Sequence, residues 1–108
     1  VEQDRQALDT LRANLAALKA TGDIRAQSVM TLAPAREGFD LILMDPPYGT
    51  GAGQVALDRC RRLGWIADGA IVSIETARDE RVEVAGFTVE AERVHGKAKI
   101  TLLRPALQ

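Results

Sequence analysis

The chain has one cysteine, one histidine and no long apolar run among its 108 residues. A single Cys60 excludes an internal disulfide bond and a metal site built from cysteines, and it suits a reducing compartment. No apolar segment approaches the ~20 residues that a membrane-spanning helix needs. The first five residues are polar and acidic rather than signal-like. We therefore expect a cytoplasmic protein with neither a membrane segment nor a metal ion.

The chain also lacks an excess of charge of either sign. Its 14 basic and 15 acidic residues give a net charge of −1, so there is no overall attraction to nucleic acid. Any RNA or DNA binding must come from a local patch or from protein outside this chain. Because 46% of the residues are hydrophobic, a core is expected. The sequence predicts one domain, partial in extent, over residues 1–108.

An apolar run ends abruptly on the sequence Asp45-Pro46-Pro47-Tyr48. Residues 41–44 are continuously apolar rather than alternating, which predicts a strand buried on both faces. The two prolines cannot donate hydrogen bonds to a β-ladder, so strand pairing must end at Asp45. The carboxyl ends of such strands carry the ligand crevice of open α/β sheets. The stretch therefore predicts an active site, although an ordinary loop after a strand is the competing interpretation.

The residues before this motif predict a helix and a short strand. A leucine repeat in an Ala-rich stretch predicts an amphipathic helix from about residue 4 to 20, ended near Thr21-Gly22. Residues 24–29 predict a strand, which is followed by a loop or single turn that ends at Pro34. The leucines of the repeat are Leu8, Leu11, Leu15 and Leu18.

Three alternate glycines after the motif predict a flexible loop, and a helix follows them. The predicted apolar face of this helix consists of Ala52, Val55, Ala56, Cys60 and Leu63. Three arginines lie off that face, where they would be solvated or would touch RNA phosphates; they are Arg59, Arg61 and Arg62. The helix should close at Gly64, and Trp65-Ile66 should serve as a packing anchor.

A second apolar strand is predicted at residues 70–74, after a turn at Asp68-Gly69 and ending at Glu75. Glu75 would either face the substrate side of the crevice or form a salt bridge with Arg78 or Arg81. Residues 76–85 predict a loop. Residues 87–91 and 100–103 predict an antiparallel hairpin joined through His95-Gly96-Lys97, with a bulge near Glu92-Arg93.

This order of elements resembles the RsmD-type family, which are bacterial S-adenosylmethionine-dependent methyltransferases. They methylate the exocyclic N2 of a guanine in small-subunit ribosomal RNA, and Asp45-Pro46-Pro47-Tyr48 matches the D/N-P-P-Y/F motif of amino-group methyltransferases. The resemblance covers essentially the whole chain. It implies an α/β, Rossmann-like class I methyltransferase fold whose sheet is mostly parallel with a terminal antiparallel hairpin. The family's first strand and Gly-rich loop would precede Val1, so we expect the chain to be the carboxyl-terminal part of a longer protein.

The same resemblance implies roles for the motif residues. The Asp45 carboxylate and the Pro46 carbonyl would accept hydrogen bonds from the target amine, Pro47 would fix the turn, and Tyr48 would stack on a flipped base.

Cofactor contacts are implied at four positions. Glu2 would accept hydrogen bonds from the two ribose hydroxyls of S-adenosylmethionine, although an acid before a helix is also typical of capping. Ser28 stands where many relatives have Asp or Asn near the adenine, and either its hydroxyl or the backbone of Val29 would serve; a purely structural role for Ser28 stays open. Asp45 would lie near the reacting methyl group.

Three functions follow as hypotheses. The first is a methyltransferase for guanine N2 of ribosomal RNA, with the small ribosomal subunit as partner. The second is an adenine-N6 DNA methyltransferase, which the motif allows equally. The third is a non-catalytic half-domain that pairs an exposed sheet edge with a partner or a second copy.

Overall fold

The computed structural model describes residues 1–106, which form two compact units, one of Val1–Ala33 and one that begins at Pro34. The expectation of a single partial domain over the whole chain stays a prediction.

The first unit is built around helix α1, Arg5–Leu18. Asp4 caps its start, because the Asp4 side chain accepts a hydrogen bond from the Ala7 N–H at 2.8 Å. The helix ends at Lys19, whose left-handed backbone lets its N–H donate to the Ala16 carbonyl. The helix predicted from the leucine repeat is confirmed.

The strand predicted at residues 24–29 is wrong. The segment forms one isolated parallel bridge, between Glu2 and Ala26, and then a 3₁₀-helix at Val29–Thr31. The contact between the two segments is a hydrogen bond from the Glu2 N–H to the Arg25 carbonyl at 3.1 Å. The Ser28 hydroxyl then accepts a hydrogen bond from Met30 and turns the chain into the 3₁₀-helix.

The second unit is a four-stranded mixed sheet with one helix. Its elements are β1 Phe39–Met44, α2 Ala52–Arg62, β2 Ile66–Ala77, β3 Phe87–His95 and β4 Ala98–Pro105. The strand order is β1-β2-β4-β3, in which β1 and β2 are parallel and the other two pairs are antiparallel. The predicted terminal hairpin is confirmed, and its turn is formed by Gly96 and Lys97.

The core of this unit lies between α2 and one face of the sheet. It consists of Leu57, Val72, Ile74, Val82, Val84 and Leu103. The predicted apolar face of α2 is partly wrong, because Val55 is 56% exposed while Gly53, Ala56 and Leu57 are buried. The helix is therefore rotated so that the line through Gly53 and Leu57 faces the sheet. The small Gly53 lies where the helix comes closest to the sheet.

Strand β1 is not buried on both faces, contrary to the expectation from its apolar sequence. Ile42 and Met44 pack against the core, whereas Leu41 is 60% and Leu43 is 74% exposed. The two leucines point to the opposite face because side chains alternate along a strand. Among the described residues of this unit, no helix covers that face, and β1 lies at the edge of its sheet.

Strand β2 is longer than predicted at both ends. Asp68-Gly69 is not a turn but part of the strand, because β2 bulges between its pairings Phe39↔Ile66 and Leu41↔Ile71. Glu75 does not end the strand either, since pairing with β4 continues through Ala77.

The loop predicted at residues 76–85 therefore begins after Ala77, and no helix forms in it. A bulge in β3 is present, but it falls between Val89 and Ala91 rather than at Glu92-Arg93.

Candidate active site

The chain leaves the sheet at Asp45, as its prolines predict. The last β1–β2 pair is Met44↔Ile74, and residues 45–47 have no regular structure before a turn at Tyr48-Gly49. Asp45 therefore stands at the carboxyl end of β1, where its parallel pairing with β2 stops, and the carboxyl ends of parallel strands form the usual ligand edge of an α/β sheet.

An open crevice of about 230 Å³ lies at this edge. Its lining residues are Leu43, Met44, Asp45, Ser73, Glu75 and Ile100. Continuing the β1–β2 register by one step places Asp45 level with Glu75 on the neighbouring strand, where strands are about 4.8 Å apart. The crevice thus has two carboxylates and no basic side chain in its lining, so it suits amino groups and cations rather than phosphate.

Tyr48 is joined to the crevice by its hydroxyl. The Tyr48 OH donates a hydrogen bond to Glu75 Oε2 at 2.5 Å, across 27 residues of sequence. This bond, with the negative charges of Glu75 and Asp45 nearby, raises the pKa of Tyr48 to about 12, because ionising the phenol would place a third anion there. Tyr48 is 44% exposed, so part of its surface is accessible to a ligand.

Of the two alternatives for Glu75, the structure supports the crevice. Arg81 instead pairs with Glu83 at 3.5 Å, and Arg78 donates to the Gly96 carbonyl at 3.4 Å. Nothing in the local sequence pointed to Tyr48 as the partner of Glu75, because only the parallel pairing of β1 with β2 brings them together.

Gly53 is not part of a flexible loop, as predicted, but lies in the first turn of α2. A Cβ atom on Gly53 would be 2.6 Å from Pro46 Cγ and 2.6 Å from Ile74 Cδ1. Its missing side chain therefore lets α2 pack directly on the motif. The sequence signal for this role is a glycine inside a helical pattern just after the motif, a pattern that also fits the mobile loop that the sequence predicts.

Glu80 secures the loop after the motif, a role that the sequence analysis missed. Its carboxylate accepts a hydrogen bond from the Ala77 N–H, and the backbone N–H groups of Gly49 and Ala77 lower the pKa of Glu80. The Ala77 bond is 2.7 Å long. The buried ammonium of Lys99 donates to the Glu80 backbone carbonyl, which fixes the β2–β3 connection. The glycine loop is thus tied at one end rather than free.

The cofactor candidates of the first unit are engaged with backbone. Glu2 Oε2 accepts hydrogen bonds from the N–H groups of Gln3 at 2.9 Å and Asp4 at 3.0 Å, which is a capping contact. Within residues 1–106, the other oxygen, Oε1, makes no hydrogen bond. The bridge from Glu2 to Ala26 brings Glu2 near the segment that leads into Ser28 and Val29.

The remaining candidates take no part in the crevice. Arg61 and Arg62 form ion pairs with Asp58 on the same helix. Cys60 is half-buried, and burial raises the pKa of its thiol, so it behaves as a packing residue. Trp65 stacks on Phe39 with ring centroids 5.9 Å apart, consistent with a packing anchor.

Across residues 1–106, no group of three or more His, Cys, Asp and Glu side chains is arranged to hold a metal ion. The same residues contain no helix that is both long and apolar enough to cross a membrane.

The fold of this chain superposes on solved structures that are described as methylases or methyltransferases. A methylase from Haemophilus influenzae superposes with a TM-score of 0.82 at 22% identity, over 96% of this chain and 69% of that one. An Escherichia coli protein with the methyltransferase designation yhhF gives a TM-score of 0.74 at 27% identity, over 99% of this chain and 61% of that one. The chain therefore has a Rossmann-like methyltransferase fold.

The family follows from the sequence match. The model of the family described as conserved hypothetical protein 95 matches residues 1–104, and the chain belongs to this family, the RsmD-type methyltransferases. Ribosomal RNA small subunit methyltransferase D of Escherichia coli K12 is 25% identical over 112 residues. That alignment covers all of this chain and 57% of the relative, so the chain spans little more than half the length of the curated relative.

Proposed function

We propose that the protein transfers a methyl group from S-adenosylmethionine to an exocyclic amino group of a nucleic-acid base, namely guanine N2 in small-subunit ribosomal RNA. The observation that carries this proposal is Asp45-Pro46 at the carboxyl end of a parallel strand, in a crevice lined by a second carboxylate. The similarity to ribosomal RNA small subunit methyltransferase D supports the choice of substrate. The small ribosomal subunit would be the partner and the cytoplasm the site of action.

An exocyclic base amine is a poor nucleophile because its lone pair is delocalised into the ring. Hydrogen bonds from its two hydrogens to the Asp45 carboxylate and the Pro46 carbonyl would localise that pair and orient it. S-adenosylmethionine, when bound, supplies a methyl group on a positively charged sulfur. The residues need only hold the amine in line with that methyl group. Good orientation of two reactants can by itself lower the activation free energy by about 7–11 kcal/mol.

The turn after Asp45 would hold the base. Pro47 fixes the backbone between the carboxylate and the ring of Tyr48. Stacking of a base on Tyr48 would contribute about 1–3 kcal/mol to the free energy of binding. The hydrogen bond from Tyr48 to Glu75 supports this role, because it fixes the ring beside the crevice before a base arrives.

Residues of the first unit would contact the cofactor. The half-buried Glu2 carboxylate fits a ribose, because two amides hold Oε2 and leave Oε1 to accept from a hydroxyl. The Ser28 hydroxyl or the Val29 backbone would contact the adenine.

Calorimetric titration of S-adenosylmethionine into the folded chain measures the cofactor affinity directly. Glu2→Gln should weaken binding at least about 10-fold, because hydrogen bonds to a charged group are worth about 1.5–3 kcal/mol. Equal affinity for Glu2→Gln and the wild type would remove Glu2 from the cofactor site.

The amine-binding role of Asp45 is tested with Asp45→Ala in the full-length protein. Turnover on small ribosomal subunits should fall by at least about 100-fold, as when a positioned hydrogen-bonding group is removed from an active site. Cofactor affinity should change little. Asp79→Ala, in the exposed turn after β2, is the control and should retain full turnover. Turnover by Asp45→Ala equal to that of the control would refute the assignment.

The motif also fits adenine N6 in DNA. Comparing the transfer of labelled methyl groups to ribosomal subunits and to duplex DNA separates the two substrates, and labelling of the DNA alone would overturn the ribosomal assignment.

Self-association through the sheet edge is a second candidate role. Within residues 34–106, β1 pairs only with β2, and its exposed Leu41 and Leu43 lie along that edge. A mass by light scattering that rises with concentration would support this role, and a constant monomer mass would exclude it.

A further inference from the structure

We propose that Glu75 is a specificity-determining residue that accepts a hydrogen bond from a ring N–H adjacent to the target amine, and so selects guanine over bases that lack this N–H. This inference rests on the proposed function and adds to it a residue that reads the base.

Glu75 shares the crevice with Asp45. Both side chains line it, and continuing the β1–β2 register one step past the Met44↔Ile74 pair places Asp45 beside Glu75. Because both side chains line the same crevice from chain segments about 4.8 Å apart, two adjacent donors on the edge of one base can each meet a carboxylate there. A base whose amine binds Asp45 therefore presents its next edge atom to Glu75.

The two oxygens of Glu75 are used differently. Oε2 accepts the hydroxyl of Tyr48 at 2.5 Å, which fixes the carboxylate in one orientation. Within residues 1–106, Oε1 accepts no hydrogen bond. A half-buried carboxylate oxygen held beside the target site, with no donor of its own, is complementary to a donor on the ligand.

The bases differ at the atom next to the amine. In guanine the N2 amine lies beside the N1–H donor, so two adjacent carboxylates meet two adjacent donors. In adenine and cytosine the ring nitrogen beside the amine is an acceptor, so its lone pair would face Glu75 Oε1. An unpaired acceptor facing a carboxylate is unfavourable, and sites built to bind a donor reject analogues that lack it strongly.

The substitution that isolates this contact is Glu75→Gln, tested with 2-aminopurine. This analogue keeps the amine of guanine, but its N1 carries no hydrogen. The methylated nucleotide is first mapped on small-subunit RNA by mass spectrometry. Short RNAs with guanine or 2-aminopurine at that position are then compared by kcat/KM, with the full-length wild type, Glu75→Gln and the control Glu90→Gln. Glu90 lies on β3, at the opposite edge of the sheet from β1.

The wild type and Glu90→Gln should favour guanine, and Glu75→Gln should reduce that preference by about 10- to 100-fold, the range that one hydrogen bond to a charged group spans. The glutamine amide can donate to the bare N1 of 2-aminopurine, so activity on the analogue should rise. The intrinsic reactivities of the two amines cancel when the preferences of two enzymes are compared. Because Glu75 is half-buried and glutamine has the same size, the variant should fold; Glu75→Ser is a second variant that should also lose the preference.

The outcomes distinguish a failure of the proposed function from a failure of the role of Glu75. If the wild type methylates no guanine in ribosomal RNA, the proposed function fails and the role of Glu75 fails with it. If the wild type methylates guanine but Glu75→Gln and Glu75→Ser keep the same preference over 2-aminopurine, the role of Glu75 is refuted and the proposed function stands.

Discussion

Tyr48 should ionise at a much higher pH than a free phenol, and this can be measured without any substrate. Its hydroxyl donates to Glu75 Oε2 at 2.5 Å, and the pKa of Tyr48 is raised to about 12. At pH 11 about one-tenth of the phenol would then be ionised, against about nine-tenths for a phenol with the usual pKa near 10. Because Tyr48 is the only tyrosine of the chain, phenolate absorbance near 295 nm reports on it alone.

The perturbation is Glu75→Gln, which removes the negative charge and weakens the acceptor. Its Tyr48 midpoint should move down toward 10, while Glu90→Gln should leave the midpoint unchanged. Far-ultraviolet circular dichroism at each pH establishes that the chain is still folded. A wild-type midpoint near 10 in the folded chain would refute the hydrogen bond, and equal midpoints in the wild type and Glu75→Gln would refute Glu75 as its cause.

The direction of the stability effect follows from the same shift. The folded pKa is raised above the unfolded value, so the stabilisation by this bond is fully present below about pH 10 and declines as the pH rises toward about 12. Unfolding by urea at pH 9 and pH 11 should therefore show a larger loss of stability for the wild type than for Glu75→Gln.

Two further substitutions test the support of the motif. Gly53→Ala should lower the free energy of unfolding by about 1–3 kcal/mol, because the new Cβ would lie 2.6 Å from the rigid ring of Pro46; urea denaturation measures it, and a gain in stability would mean that α2 does not pack on the motif. Glu80→Gln should loosen the loop that Gly49 anchors and should reduce the acid sensitivity of the fold. The pKa of Glu80 is lowered by N–H donors of Gly49 and Ala77, so its stabilisation is present above about pH 4.5 and is lost as the pH falls through the folded value. Melting temperatures of the wild type and Glu80→Gln at neutral and acid pH measure this effect. An equal drop in melting temperature at acid pH in the two proteins would contradict the role of Glu80.

Much of the fold could be predicted because its signals are local. The leucine repeat and the Asp4 cap define α1, and the prolines after Asp45 end β1 wherever the strand lies. The predictions fail where contacts with distant segments of the chain decide the structure. Residues 24–29 have a strand-like sequence but form one isolated bridge in the structure, because strand formation also depends on pairing with a neighbouring segment. The apolar run of β1 predicts two buried faces, yet burial depends on what packs on each face.

The sequence by itself determined the motif, the point at which its strand ends, and the family, because a Pro-Pro step and an apolar period act within a few residues. Only the tertiary structure decided that Glu75 lies level with Asp45 and binds Tyr48, and that Gly53 touches Pro46. Those contacts join residues on different elements through the register of a parallel strand pair and the rotation of a helix. Register and rotation are set by the packing of the whole sheet, which no local pattern contains.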